Sequence, residues 1–395
     1  MGSKTINKMD MAIYCLYIAL FKPYFLPETI RTLLKIVLVS IVMIYLFNHM
    51  KVKELKNESV VFCAYVSILG VILYVLQMAN IKAALDGILY GICFFEVFAL
   101  IKYCCNRGKS SRLLKCLLNI TFVYCLLSIV SVAIYGIENN SNDALYFFGS
   151  KFSSSYFFIF YLALFYSLYY EKIKKNLLWK AVFVSLILIS VIFSAYVICA
   201  TALVSTFVFV VFLFLPEKLK RFLTSPRIAT VFLLLSAIIV PFLGVLLNLP
   251  FVENFVVNVL HKTSNLTNRL NLYNIYLFPV IKEKLWFGHG YSNDALELAS
   301  GVMWNSKLTY YANAQNGLLD FVVKFGVVGV TIFLILFYKC FQKTKKTRKV
   351  VGIQTLIYAL TLASIVEVTI NWIFIIGIAL VCWLENDNLV TPKNV

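Results

Sequence analysis

Apolar runs of membrane-spanning length recur from end to end of this 395-residue chain, separated by short polar or basic breaks. About 20 consecutive apolar residues are enough to cross the hydrocarbon core as a helix. The pattern therefore predicts an all-α, polytopic integral membrane protein. The candidate spans are 10–21, 30–47, 59–79, 83–105, 113–135, 153–170, 178–195, 198–215, 227–247, 317–338, 350–368 and 370–384, about twelve in all. The first and last are short enough to be tilted or partly interfacial. The alternation over roughly ten-residue segments that marks a transmembrane barrel is absent. No fixed-period repeat or low-complexity segment interrupts the series, so 1–395 is expected to form a single transmembrane domain. One segment breaks the rhythm: 248–316, before the last three spans, is far longer than an ordinary connection.

Composition agrees, with 61% hydrophobic and 14% charged residues, where a soluble domain carries about a quarter charged. The first apolar stretch, Met11 to Phe21, has no small-residue cleavage site and runs into Lys22-Pro23, so no cleavable signal peptide is expected. The net charge of +18 would ordinarily raise nucleic acid as a partner, but the positions of the charges argue for none. Twenty-one of the 36 Lys and Arg fall in five clusters on alternate loops, from Lys51/Lys53/Lys56 to Lys339/Lys343/Lys345/Lys346/Arg348/Lys349. The positive-inside rule makes that side cytoplasmic, together with both termini, and puts 248–316 outside. The ten cysteines lie almost wholly within the spans without a CxxC, so they read as small apolar side chains.

The external loop is where chemistry is expected, because irregular backbone is costly in lipid. "NRLNLYNIYLFPVIKEKLWFGHG" (268–290) reads as a helix near the interface, broken or bent at Pro279 and stopped at Gly288. Arg269 can grip a phosphate bidentately, or pair with a lipid headgroup or carboxylate. His289 sits between two glycines, where backbone can approach a ligand; a solvated turn histidine is the plainer alternative. Asn313, Gln315 and Asn316 form a polar lip suited to sugar hydroxyls, although Asn316 before Gly317 is also a good helix cap. Asp320 and Lys324 are spaced to pair on one helix face, and Gly326 and Gly329 allow close helix packing. Glu367, a carboxylate at the outer end of a span, is a functional candidate unless paired. Tyr310 and Tyr311 suit stacking on sugar rings. There is no DxD pair, Walker lysine motif, HExxH or His/Asp cluster at metal spacing, so no metal and no cofactor is expected.

These features resemble the O-antigen ligase and polymerase superfamily, in particular the Wzy-type polymerases of O-antigen and capsule. Asn268-Arg269 with Tyr273 stands for the family's basic motif, "LWFGHG" (285–290) for its "plfGxG" turn, and "QNGLLDFVVKFGVVG" (315–329) for the "HN…GilG" helix opening. "GSKFSSSYFFIFYLA" (149–163) is similar to an earlier element, and Glu367 in "SIVEVTINW" to a late glutamate. Two positions depart from the pattern. Gln315 replaces the histidine of the ligases, and "CATA" (199–202) replaces the "SRTA"-like arginine, which leaves Lys151 as the substitute.

The resemblance implies glycosyl transfer between undecaprenyl-pyrophosphate-linked oligosaccharides on the outer face of the bacterial cytoplasmic (inner) membrane. Arg269 and Lys151 would bind pyrophosphate. Asn313, Gln315, Asn316, Tyr310 and Tyr311 would bind sugar, and His289, Glu367 and Asp320 are candidates for the base. The expected partners are the lipid-linked sugars, the bilayer and a chain-length regulator. The competing readings are a ligase that transfers finished glycan and, from another class, a lipid-linked oligosaccharide flippase. Against the flippase, the two halves lack paired interrupted spans.

Overall fold

In the computed structural model the described residues are 7–76, 81–136, 147–242, 249–254, 257–258, 272–292, 314–344 and 350–384. Most of them are helical, and none of the described residues forms a β-strand. Each of the twelve apolar runs is met by a helix: α1 (Lys8–Leu20), α2 (Glu28–His49), α3 (Val60–Val75), α4 (Ile81–Asn106), α5 (Ser110–Tyr135), α6 (Lys151–Lys175), α7 (Leu177–Tyr196), α8 (Ala200–Phe214), α9 (Pro226–Ile238), α10 (Gly317–Lys343), α11 (Val351–Ala363) and α12 (Trp372–Trp383). Six of these (α2, α4, α5, α6, α7 and α10) are long and apolar enough to cross a bilayer, and the bent pair Glu217–Leu223 and α9 adds a seventh if read as one span. α3, α8, α11 and α12 are shorter apolar helices. The result is a multi-pass membrane protein.

Side-chain caps fix several helix starts. Asn7, Ser150, Asn176, Asn316 and Asn371 each accept a backbone N–H from the first turn of the helix they open. α11 and α12 are buried along almost their whole length and form the centre with α4, α6 and α10. α2 and α7 show the opposite pattern, with Ile44, Phe47, Leu188 and Ile192 turned outward. Such an apolar rim is stable only against lipid.

Two ends can be told apart. At one end, Arg112 pairs with Asp10 at 2.7 Å, Arg107 donates to the His49 carbonyl and Lys343 pairs with Glu58. This is the end of the basic linkers. The opposite end gathers the starts of α2, α4 and α10, where Lys82 and Glu28 pair at 2.6 Å.

The helices differ from the sequence pattern where a proline or a tertiary contact intervenes. The run predicted over 227–247 ends as α9 at Ile238, and a 3-10 turn, Val240–Phe242, follows around Pro241, which has no N–H to continue the ladder. Near Pro279, of the two expected outcomes, the helix changes type rather than simply bending. A π-helix, Leu272–Leu277, passes into a short α-helix, Phe278–Glu283, with Pro279 in its first turn, where no donor is needed. The run predicted over 317–338 is broken inside: Gly326 has φ 63°.

Candidate functional site

The break at Gly326 organises this end of the molecule. A left-handed residue inside a helix frees backbone groups on both sides of it. Here the loop 285–290 takes them up. His289 and Gly290 donate to the carbonyls of Val323 and Lys324 at 2.8 and 2.9 Å, while Val327 and Val328 donate to those of Leu285 and Trp286 at 2.9 and 3.1 Å. The Phe325 carbonyl accepts from the Tyr65 hydroxyl at 2.6 Å. The two strands of backbone are in contact, and only glycine fits between them. A Cβ on Gly326 would lie 2.3 Å from the Trp286 carbonyl oxygen, and one on Gly288 would lie 2.6 Å from the Gly326 nitrogen. The sequence reading of Gly326 as a packing glycine in a continuous helix is therefore corrected.

This docking fixes His289. Its Nε2 lies 3.0 Å from the Val280 carbonyl oxygen. A carbonyl only accepts, so Nε2 carries the proton and Nδ1 keeps a lone pair. Burial pushes the imidazole pKa below its usual value, against a smaller opposing effect of the Val280 carbonyl, and so favours the neutral ring.

The start of α10 is tied to two other elements. The Asn316 side chain is fully buried, accepts from the Leu319 N–H at 2.9 Å, and donates to the carbonyls of Ser236 and Ile365. It thus joins the end of α9, the start of α10 and the turn after α11, with both amide hydrogens engaged. Gly317 donates to the Ser364 carbonyl at 2.9 Å. Gln315 stands just before, at φ 46°, a left-handed conformation uncommon for a side chain of this size. Its carbonyl accepts from the buried Tyr273 hydroxyl at 3.1 Å. Such backbone strain persists only where the surroundings impose it, and it concentrates at functional sites. Leu272, Tyr273, Leu277, Val280, Ala314 and Val323 pack beneath as a small second core.

One turn into α10, Asp320 and Lys324 form a buried ion pair at 2.6 Å. The Lys324 ammonium also lies 5.4 Å over the Tyr291 ring, which stacks on Tyr90 at 4.2 Å. Glu367 is buried in the turn between α11 and α12, with its N–H bonded to the Ala363 carbonyl. Nearby at the α7–α8 turn lies the buried thiol of Cys199. That thiol is 3.6 Å from the Thr201 hydroxyl, which in turn accepts from Tyr156 of α6.

The structure therefore brings His289, Gln315, Asn316, Asp320 and Glu367 to the first two turns of α10 and the segments docked on them. Lys151 is the first residue of α6, with its ammonium 5.8 Å over the Phe152 ring and no ion pair among the described residues. Arg269, Asn313, Tyr310 and Tyr311 lie outside the described residues. Tyr65 and Tyr291 were not singled out in the sequence, whereas Tyr273 was, as part of the Asn268-Arg269 motif. Tyr291 directly follows the FGHG loop, and that adjacency was the available signal.

Residues 197–334 match a family model described as O-antigen ligase. The match contains His289, Gln315, Asn316 and Asp320, and ends before Glu367. No curated protein and no solved structure matches the chain.

Proposed function

We propose, from membership of the O-antigen ligase/polymerase superfamily that the match over 197–334 supports, that this membrane glycosyltransferase-like enzyme is a Wzy-type polymerase. It joins undecaprenyl-pyrophosphate-linked oligosaccharide repeat units into O-antigen or capsular polysaccharide on the outer face of the cytoplasmic membrane. The chain crosses about twelve times, with both termini at the basic, cytoplasmic end. Its shorter helices serve as crossings, and 248–316 is the extracytoplasmic excursion.

The growing glycan leaves its pyrophosphate carrier and is attached to the non-reducing end of a new unit. A pyrophosphate leaving group needs positive charge as its bond breaks, and fixed cations supply this without a metal. Arg269 fills that role, with Lys151 assisting. His289 is the best placed of the three base candidates: neutral, with Nδ1 unprotonated and its ring held by Val280. Asp320 is neutralised by Lys324, and an ion-paired carboxylate is a weaker base. Gln315 meets the sugar with Asn313, Tyr310 and Tyr311, while Asn316 holds the frame. A chain-length regulator is a further partner. The observation that carries the choice of polymerase over ligase is Gln315, an amide where the ligases place histidine. The description of the matched family favours the ligase as the second reading.

Deletion of the gene, complemented with wild type or Arg269→Ala, tests this by the size of the surface polysaccharide. Single repeat units on the acceptor, with protein level unchanged, support the polymerase and place Arg269 in its site. Long polymer held on carrier lipid makes the protein a ligase. Single units confined to the cytoplasmic leaflet make it a flippase and remove the proposal.

A further inference from the structure

The buried stripe of α2 consists of Lys35, Val39, Val42 and Leu46. An apolar stripe facing α1 and α4 thus ends, towards the α2 start, in a lysine that is only 8% exposed. Arg31 lies one turn further up the same face. Its guanidinium sits 4.7 Å over the Tyr24 ring, and its Nε is buried without a hydrogen-bond partner among the described residues. Tyr24 is itself held, its N–H donating to the Phe147 carbonyl at 2.7 Å and its ring against Gly149. The third cation is Lys22 in the α1–α2 connection, within electrostatic reach of Lys35, Arg31 and Asp86. Burial and the neighbouring Lys35 push the Lys22 ammonium below its usual pKa.

None of Lys22, Arg31 and Lys35 makes an ion pair among the described residues, whereas nearby Lys82 and Glu28 neutralise each other. Glu28, which also acts on Lys22 and Arg31, is taken up by Lys82. Beyond it the acids near the cluster are Asp86 of α4, which acts on Lys22, and Glu96, nearly three turns below Asp86, which acts on Lys35 from the bundle interior. Three cations against these two carboxylates leave an excess of positive charge even with both ionised. The cluster also sits at the end opposite the basic linkers, against the positive-inside trend. One buried and two half-buried cations retained there, Arg31 among them both stacked and with a free buried N–H, are arranged for an anion that two or more of them share.

We propose that Lys22, Arg31 and Lys35 form a phosphate-binding site for a lipid headgroup, on α2 and the α1–α2 connection, separate from the site at the start of α10. Lys35 and Arg31 hold the phosphate oxygens from one helix face and Lys22 closes over them. The lipid chain lies along the exposed apolar side of α2, past Ile36, Val37 and Ile44. The phosphate chemistry stands on the cluster itself. Only the choice of a prenyl pyrophosphate as first probe rests on the proposed function.

The test is binding of farnesyl pyrophosphate to the detergent-solubilised full chain, with inorganic pyrophosphate and phosphatidylglycerol nanodiscs as the other arms. Arg31→Gln and Lys35→Met are each expected to weaken lipid-phosphate binding about tenfold or more, with added salt weakening the wild type similarly. Loss in the farnesyl arm alone identifies a prenyl carrier, and loss in the phosphatidylglycerol arm a bulk phospholipid; either supports the site. Equal binding of inorganic pyrophosphate overturns the lipid assignment. Unchanged binding in both variants overturns the site. Lys22→Gln, in a connection rather than the core, carries the test if Lys35→Met fails to fold. Farnesyl binding retained in Arg269→Ala, in cells that lose polymer, separates this site from the proposed catalytic one.

Discussion

Asp320 and Lys324 offer the sharpest separation of architecture from chemistry. Their charged atoms are 2.6 Å apart, with side chains 3% and 10% exposed. At an effective dielectric of about 20, that separation gives an attraction of about 6 kcal/mol. Removing two ions from water costs several kcal/mol each, so the pair is close to neutral for stability as a unit. Breaking it is another matter. Lys324→Met leaves a buried carboxylate and Asp320→Leu a buried ammonium, and each should cost about 3–5 kcal/mol. The double variant, which removes both charges, should recover most of that loss. Equilibrium unfolding from mild detergent into SDS, followed by tryptophan fluorescence, measures all three. Polymer length in complemented cells then reads function. A double variant that is stable and active makes Asp320 structural, whereas one that is stable and inactive makes it part of the reaction. Single variants costing under about 1 kcal/mol would refute the reasoning, because a buried, mutually dependent pair cannot be dismantled so cheaply.

Gly326→Ala should force the FGHG loop off α10, raising amide exchange at His289, Gly290, Val327 and Val328. Four hydrogen bonds at about 0.5–1.5 kcal/mol each put the loss at roughly 2–6 kcal/mol, and unchanged exchange would count against the docking. His289, held neutral, contributes stability that is complete above the usual imidazole pKa of about 6.5. It declines as pH falls below that value, because the unfolded chain takes up the proton first. His289→Gln should flatten this slope, and an unaltered slope would assign it to other groups. Asn316→Ala should cost about 2–5 kcal/mol, from a lost cap and two buried carbonyls left unpaired. Asn316→Asp keeps the cap acceptor but sets a buried carboxyl oxygen against the same two carbonyls, and should cost at least as much as Asn316→Ala.

The twelve helices were legible because lipid-facing and core-facing residues are both apolar, so the hydrophobic runs mark each helix whatever surrounds it. Their ends were less so. The stretch from Ser364 to Val368 reads as a continuation of α11, but Ser364 and Thr369 hydrogen-bond back to the carbonyls of Thr361 and Leu360 and turn the chain. The Asp320–Lys324 pair followed from spacing alone. The break at Gly326 did not, since V-K-F-G-V-V-G is an ordinary membrane-helix sequence. What distinguishes it is a loop about forty residues earlier, and periodicity carries no record of that partner. Asn316 was legible as a cap, but its bonds to Ser236 and Ile365 depend on chain brought together only by the fold.

The loop seated in α10 also constrains how the protein is made. A helix leaving the translocon with its ladder interrupted exposes carbonyls and N–H groups to hydrocarbon, where each costs several kcal/mol. The partners for those groups, residues 285–290, emerge from the ribosome before α10 does. The nascent chain must therefore present the loop to α10 during insertion, or hold the half-formed helix in a wet vestibule until the loop arrives. Biogenesis and the shape of the finished site are set by the same few backbone atoms.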